Sequence, residues 1–205
     1  RNFFIADDLK AALAESEIIY YCVGTPYSAD GSADLKYLFS AIDMTINAID
    51  DKKLRVLVTK STIPPATTAE KIIPYVETKA GDKNFAVANN PEFLREGHCW
   101  DDFLNADRIV IGTYDARARE KLIELYAPMN IPIKCVTPST GEFIKYLSNT
   151  LLATLISYSN EMAQVADNIG DIEVAKAFKI LHMDGRWNNC NMTSYLYPGC
   201  GYGGY

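Results

Sequence analysis

The sequence predicts an α/β fold built on a parallel sheet, and three observations carry that expectation. Short, apolar, β-prone runs ("IIYYCVG", "LRVLVTK", "NFAVAN", "RIVIG") alternate with stretches whose apolar residues recur every three or four positions, as strands do with crossover helices. Polar segments rich in Gly, Pro and Thr follow several of these strands, where ligands sit in an open α/β sheet. After Pro138 the alternation stops, and about thirty residues keep helical spacing with no strand among them.

Residues 7–17 read as a helix, with Asp8 as its cap and Leu9, Ala12 and Leu13 on one face. Residues 18–23 form a strand that Gly24 and Pro26 stop sharply. A polar loop leads to a helix at about 34–49, carried by Leu35, Leu38, Phe39, Ile42, Ile46 and Ile49. "LRVLVTK" is the next strand, and "STIPPATTAEKIIPYVETK" is a loop and a helix. "NFAVAN" and "RIVIG" are two more strands, both expected at the centre of the parallel sheet. "DARAREKLIELYAPM" is a helix and "IPIKCVT" is extended. One helix then runs to about Gly170, roughly twice the usual length, and a shorter one capped at Asp171 follows. The long helix is apolar on more than one side, with Phe143, Leu147, Leu151 and Leu155 on one and Ile144, Leu152 and Ile156 on others. Such a helix must bury more than one side, and a two-fold partner supplying the same helix is the simplest cover, so a homodimer is expected.

A chain of 205 residues with 48% hydrophobic content can fill one core, or one domain and part of another. Its net charge of −6 without any basic block argues against nucleic acid or an anionic membrane as partner. The apolar runs are too short to span a bilayer and the first residues resemble no targeting peptide, so a cytoplasmic setting is expected. Cys22, Cys99, Cys135, Cys190 and Cys200 show no CxxC or Cys/His cluster. They read as free thiols in a reducing compartment, with no metal site expected. The opening without Met and the ending inside "YPGCGYGGY" read as a piece of a longer protein.

Four segments carry candidate chemistry: "CVGTP", "KSTIPP", "NNPEFLREG" and "YPGCGYGGY". Each alone has an ordinary explanation. A Gly-Thr-Pro turn is a turn, Ser-Thr before a double proline caps a helix, and a Glu-rich loop is solvated. Lys145 and Asn149 share a helix face by their spacing, and a lysine there is commonly solvated.

Taken in order, with "DRIVIG" and "EFIKYLSN", these segments resemble the nucleotide-sugar dehydrogenases of the UDP-glucose/GDP-mannose dehydrogenase family over essentially all 205 residues. The resemblance implies the second half of a Rossmann-like NAD-binding domain at residues 1–137, without its glycine-rich amino-terminal half. It implies a long connecting helix and the start of an all-α middle domain, for dimerisation and substrate, at 138–205. It implies NAD as cofactor, a nucleotide sugar as substrate, and a four-electron oxidation of a primary alcohol through a cysteine-bound thiohemiacetal and thioester. Val23, Gly24, Thr25 and Pro26 then line the cofactor, and Thr62 reaches its nicotinamide side. Glu92, Phe93, Leu94, Arg95 and Glu96 hold the hexose, with Glu92 as the water-activating group and Glu96 beside the nicotinamide. Lys145 and Asn149 polarise the sugar oxygen. Arg186 reaches a neighbouring subunit's substrate, and Tyr195, Leu196, Tyr197, Pro198, Gly199 and Gly203 belong to the sugar-nucleotide loop.

The family's nucleophilic cysteine would directly follow Tyr205, and none of the five cysteines takes that position. The chain alone is therefore expected to be inactive. Ala66 stands where the family often carries glycine, with no consequence read for function. "GYGGY" resembles the UDP-glucose branch. GDP-mannose or a UDP-N-acetyl-aminosugar stays open as substrate, as does a non-catalytic module for dimerisation and ligand binding.

Overall fold

Asp8 caps the first helix as expected, its carboxylate accepting the N–H groups of Lys10 and Ala11 at 2.9 and 3.3 Å. The structure, a computed structural model, describes residues 3–184. In chain order it contains α1 (Leu9–Glu15), β1 (Ile18–Tyr21), α2 (Lys36–Ala48), β2 (Arg55–Thr59), a π-helical turn (Thr68–Ile72) running into α3 (Ile73–Ala80), and β3 (Phe85–Asn89). There follow α4 (Cys99–Leu104), β4 (Ile109–Gly112), α5 (Ala116–Tyr126), β5 (Ile133–Val136), α6 (Pro138–Ile169) and α7 (Val174–Leu181). The chain falls into two units, Arg1–Lys145 and Tyr146–Tyr205.

The first unit holds a five-stranded sheet in the order β1-β2-β3-β4-β5. Period-two alternation sorts its strand residues between two cores. Val56, Val58, Ala86 and Ala88 pack with Ala118, Leu122 and Tyr126 of α5 on one face. Tyr21, Leu57 and Val87 pack with Leu38, Ile42 and Ile46 of α2 and with Val76 and Ala80 of α3 on the other. Both faces of β2 are thus covered, which is why its centre, Val56–Val58, is apolar without alternation.

The expectation of a parallel sheet needs one correction. β1, β2 and β3 pair in parallel, as do β4 and β5, but β3 and β4 meet antiparallel through Asn89 and Gly112. A parallel neighbour requires a crossover that returns along the strand, usually a helix of full strand length. Between β3 and β4 the only helix is α4, six residues long, and β4 meets β3 only where both strands end.

A second correction concerns Asp171, which was expected to cap the helix after α6. Gly170 and Asp171 are both left-handed, with φ of 80° and 55°, and the Gly170 N–H returns to the Ala166 carbonyl at 2.9 Å. Asp171 therefore belongs to the turn leaving α6, and Glu173 is the residue before α7.

Ala66 also acquires a physical meaning. Its φ is +71°, a conformation that costs an L-residue about 1–2 kcal/mol and glycine almost nothing. Ala66→Gly should raise unfolding stability by up to about 1 kcal/mol, net of glycine's extra chain entropy. Urea denaturation checks this, and an unchanged or lower midpoint would show that the turn is not strained.

Candidate active site

Because β1, β2 and β3 are parallel and in register through Tyr21, Thr59 and Asn89, the loops that leave them emerge from one edge of the sheet. The first two loops are tied together by side chains: Ser61 Oγ donates to the Val23 carbonyl at 2.6 Å, and Thr25 Oγ1 donates to the Thr62 carbonyl at 2.8 Å. A Cβ added at Gly24 would meet nothing within 4 Å, so the backbone there is open to close approach by a ligand.

The third loop begins with Asn90, which is buried. Its Nδ2 donates to the Val110 carbonyl at 2.7 Å, and its Oδ1 accepts from Tyr126 Oη at 2.6 Å and Lys60 Nζ at 3.1 Å. Tyr20 Oη extends this chain by donating to Tyr126 Oη at 2.9 Å. Burial pushes the Tyr20 and Tyr126 hydroxyls up, so both remain donors at physiological pH.

Glu92 follows two residues later. Its Oε2 accepts the Leu94 N–H at 2.6 Å, and its Oε1 lies 2.7 Å from Lys145 Nζ, whose side chain is only 8% exposed. Burial acts to raise the Glu92 carboxyl, but Lys145, the Leu94 N–H and the more distant Lys60 outweigh it and hold the group below the ordinary glutamate range. Lys60 is shifted down, first by burial and also by Lys145, against the opposing pull of Cys22 and Glu92. The Phe93 ring lies beneath two cations, with the Arg108 guanidinium 4.2 Å and Lys145 Nζ 5.8 Å from its centroid. Beside Lys145 opens a shallow cleft lined among others by Ser61, Thr62, Asn89, Pro91, Glu142 and Lys145.

The structure thus brings together Val23, Thr25 and Thr62, and separately Glu92, Phe93, Leu94 and Lys145, with Thr62 and Lys145 sharing the cleft. Gly24, Pro26, Glu96 and Asn149 are exposed. Arg95 turns to Asp102, at 2.6 Å. Arg186, Tyr195, Leu196, Tyr197, Pro198, Gly199 and Gly203 lie outside the described residues. Sequence reasoning passed over Lys60, Asn89, Asn90 and Glu142. Their signal was present in two places: a lysine directly after a fully buried strand, and two asparagines closing another. Among the described cysteines, Cys22, Cys99 and Cys135 are free thiols.

The open Gly24 turn, the tied Thr25–Thr62 loops and the parallel strand ends fit a dinucleotide lying along this edge, the arrangement of a dinucleotide-binding domain. Residues 1–130 match the NAD binding domain of the UDP-glucose/GDP-mannose dehydrogenase family and residues 139–205 match its central domain; the chain belongs to that family. It is 39% identical over 206 residues to the UDP-glucose 6-dehydrogenase of Rhizobium meliloti, a match spanning 97% of this chain and 45% of that protein. It is 40% identical over 196 residues to UDP-glucose 6-dehydrogenase YwqF of Bacillus subtilis, spanning 95% and 43%. Among solved structures it resembles a UDP-glucose dehydrogenase from Pyrobaculum islandicum, with 38% identity and a TM-score of 0.80 over 88% of this chain and 42% of that one. It also resembles a GDP-mannose dehydrogenase from Pseudomonas aeruginosa solved as a ternary complex, with 30% identity and a TM-score of 0.85 over 98% and 46%. The chain spans less than half the length of each of these relatives. No helix among the described residues is long and apolar enough to cross a membrane.

Proposed function

We propose that the whole protein oxidises the C6 alcohol of UDP-glucose to a carboxylate, with NAD as electron acceptor. The observation that carries this reading is the Lys145–Glu92 pair at 2.7 Å, on the cleft that Thr62 also lines. Identities near 40% with two UDP-glucose 6-dehydrogenases, against 30% with the GDP-mannose enzyme, favour the glucose substrate.

NAD, held along Val23–Pro26 and Thr62, supplies the hydride acceptor. Lys145 Nζ donates to the sugar oxygen and stabilises the negative charge that develops there as the hydroxyl proton passes to water, and its near-complete burial strengthens that interaction over the same contact in water. Glu92, ionised at neutral pH because Lys145 and the Leu94 N–H outweigh its burial, takes a proton at a carboxylate oxygen from the water that releases the acid. Glu96 and Asn149, with Phe93, Leu94 and Arg95, belong to the sugar side of the site in this reading. Arg186 and the loop through Tyr195, Leu196, Tyr197, Pro198, Gly199 and Gly203 are assigned to the nucleotide sugar. The NAD-binding part is read as residues 1–137 and the connecting helix with the start of the middle domain as 138–205.

A homodimer is part of the same proposal. Leu147, Leu151, Leu152, Ile156, Tyr158 and Val165 of α6 are all exposed, on more than one side of the helix, as expected of a helix that a partner covers. Sedimentation equilibrium should give twice the subunit mass, and a monomer at micromolar concentration would remove this element.

Substrate choice is tested by supplying the whole protein with NAD and UDP-glucose, GDP-mannose or a UDP-N-acetyl-aminosugar in turn. UDP-glucose should give the highest kcat/KM. A preference for either alternative would move the protein to another branch of the family, and no turnover with any would leave a binding module.

A further inference from the structure

We propose that Asn89, Thr68 and Glu142 form a buried clamp that positions Lys145 relative to Thr62 and Glu92; the proposal rests on the dehydrogenase reading above. Asn89 ends β3, three residues before Glu92. Its Nδ2 donates to the Pro138 carbonyl at 2.9 Å and to Thr68 Oγ1 at 3.3 Å. Glu142, one turn before Lys145 on α6, accepts the Thr68 N–H at 2.7 Å. Thr68 opens the π-helical turn six residues after Thr62. The three residues are 0–3% exposed; Asn89 and Thr68 lie on elements joined directly to the loops of Glu92 and Thr62, and Glu142 lies on the same helix as Lys145. The clamp therefore fixes the mutual placement of those elements, where apolar packing alone would allow sliding.

Two glycines make room for it. A Cβ at Gly112 would lie 2.3 Å, and one at Gly141 2.4 Å, from Asn89 Oδ1, so the amide lies between β4 and the first turn of α6 only because both positions lack a side chain. The clamp is also incomplete in one respect. Asn89 Oδ1 and Glu142 Oε2 are buried acceptors without a hydrogen-bond partner, and both residues line the cleft shared with Thr62 and Lys145. Burial pushes the Glu142 carboxyl up, against the Thr68, Ala66 and Thr67 groups that act to lower it. Glutamine is accordingly the conservative replacement, because it keeps the acceptor for Thr68 and carries N–H groups where the second oxygen was.

The test uses the whole protein with Glu142→Leu and Glu142→Gln, read by steady-state kinetics and amide hydrogen exchange. Glu142→Leu should lower kcat by about 10-fold or more, with KM for NAD changed less than about two-fold, as expected for misplaced reacting groups. Exchange at the Thr68 amide should accelerate while the β2 amides of Val56–Val58 stay protected. Glu142→Gln should restore both readouts to within about three-fold of wild type. An unchanged kcat in Glu142→Leu overturns the proposal, and so does a glutamine variant as impaired as leucine, since charge rather than geometry would then be required. If Glu142→Leu loses β2 protection, Gly141→Ala, whose Cβ would press on Asn89 Oδ1 while keeping the Glu142 and Lys145 side chains, is judged by the same criteria. A wild-type protein without dehydrogenase activity would sink the reading of function, while Thr68 exchange would still report whether Glu142 holds that residue.

Discussion

Lys145→Ala is expected to lower kcat by about 10²-fold or more, the usual loss when one preorganised donor to a developing oxyanion is removed. KM for NAD should change far less, because the proposed cofactor contacts come from Val23–Pro26 and Thr62. A solvated lysine would leave the rate unchanged, but Lys145 is buried and its ammonium sits 2.7 Å from Glu92. The variant carries a second signature through that carboxylate. Burial acts to raise the Glu92 carboxyl, and Lys145 is the first of the groups that reverse it. With the ammonium gone, burial prevails more strongly and the carboxyl should titrate at higher pH. The base form exists above that value, so the acid limb of the residual kcat profile should move upward in pH. Lys60 still faces Glu92 and limits the shift. Steady-state kinetics across pH measures both effects, and an unaltered rate with an unmoved acid limb would show that Lys145 does not act on the substrate.

Arg55→Met is expected to destabilise the first unit by about 3 kcal/mol without touching the site. Arg55 lies in the fully buried strand β2, with its side chain 1% exposed. Its Nε donates to the Leu13 carbonyl at 3.0 Å and Nη2 to the Ala14 carbonyl at 3.3 Å. These are carbonyls of the last turn of α1, where Leu13 O also accepts the Ser16 N–H at 3.2 Å. The same guanidinium grips both Asp51 oxygens, at 2.6 and 2.9 Å. Methionine removes one partner of a half-exposed ion pair, not both, and takes the guanidinium's donors from the Leu13 and Ala14 carbonyls, leaving Leu13 O with the Ser16 N–H, so the loss outweighs the apolar gain. Asp51 adds a pH dependence. Arg55 holds its carboxyl far below the ordinary aspartate value, so the contribution is fully present above the unfolded value and is lost as pH falls through the depressed one. Urea unfolding at neutral pH should show the lower midpoint in Arg55→Met, and acid unfolding should become less steep below about pH 4. A midpoint equal to wild type would mean that water replaces the guanidinium at the α1 carbonyls.

How far the sequence could be read follows from what kind of physics set each feature. Helices and strands held by local pattern came through: Val56–Val58 of β2 and Phe85–Ala88 of β3 are unbroken apolar stretches, and α6 keeps its spacing for 32 residues. Strand direction did not, because the β3–β4 pairing depends on where the 90–108 segment travels, not on the composition of "RIVIG". The motif residues Glu92 and Lys145 were legible, while their direct ion pair was not. That pair joins a loop to a helix more than fifty residues further along the chain, a tertiary contact no spacing rule encodes. The partners of Arg55 at Leu13, Ala14 and Asp51 are tertiary contacts that its place at the start of the strand run "LRVLVTK" does not encode. Ala66 shows the reverse case, where a residue that departs from the family pattern marks a backbone conformation that glycine suits better.

The proposed four-electron oxidation of UDP-glucose beside the Lys145–Glu92 pair is read out by product stoichiometry. The whole protein is allowed to consume a limiting amount of UDP-glucose with excess NAD, while NADH is followed by absorbance and the sugar nucleotide by mass spectrometry. Two NADH per sugar and a UDP-linked uronic acid are the predicted result. One NADH per sugar with a free aldehyde, or no NADH from UDP-glucose at all, would contradict it.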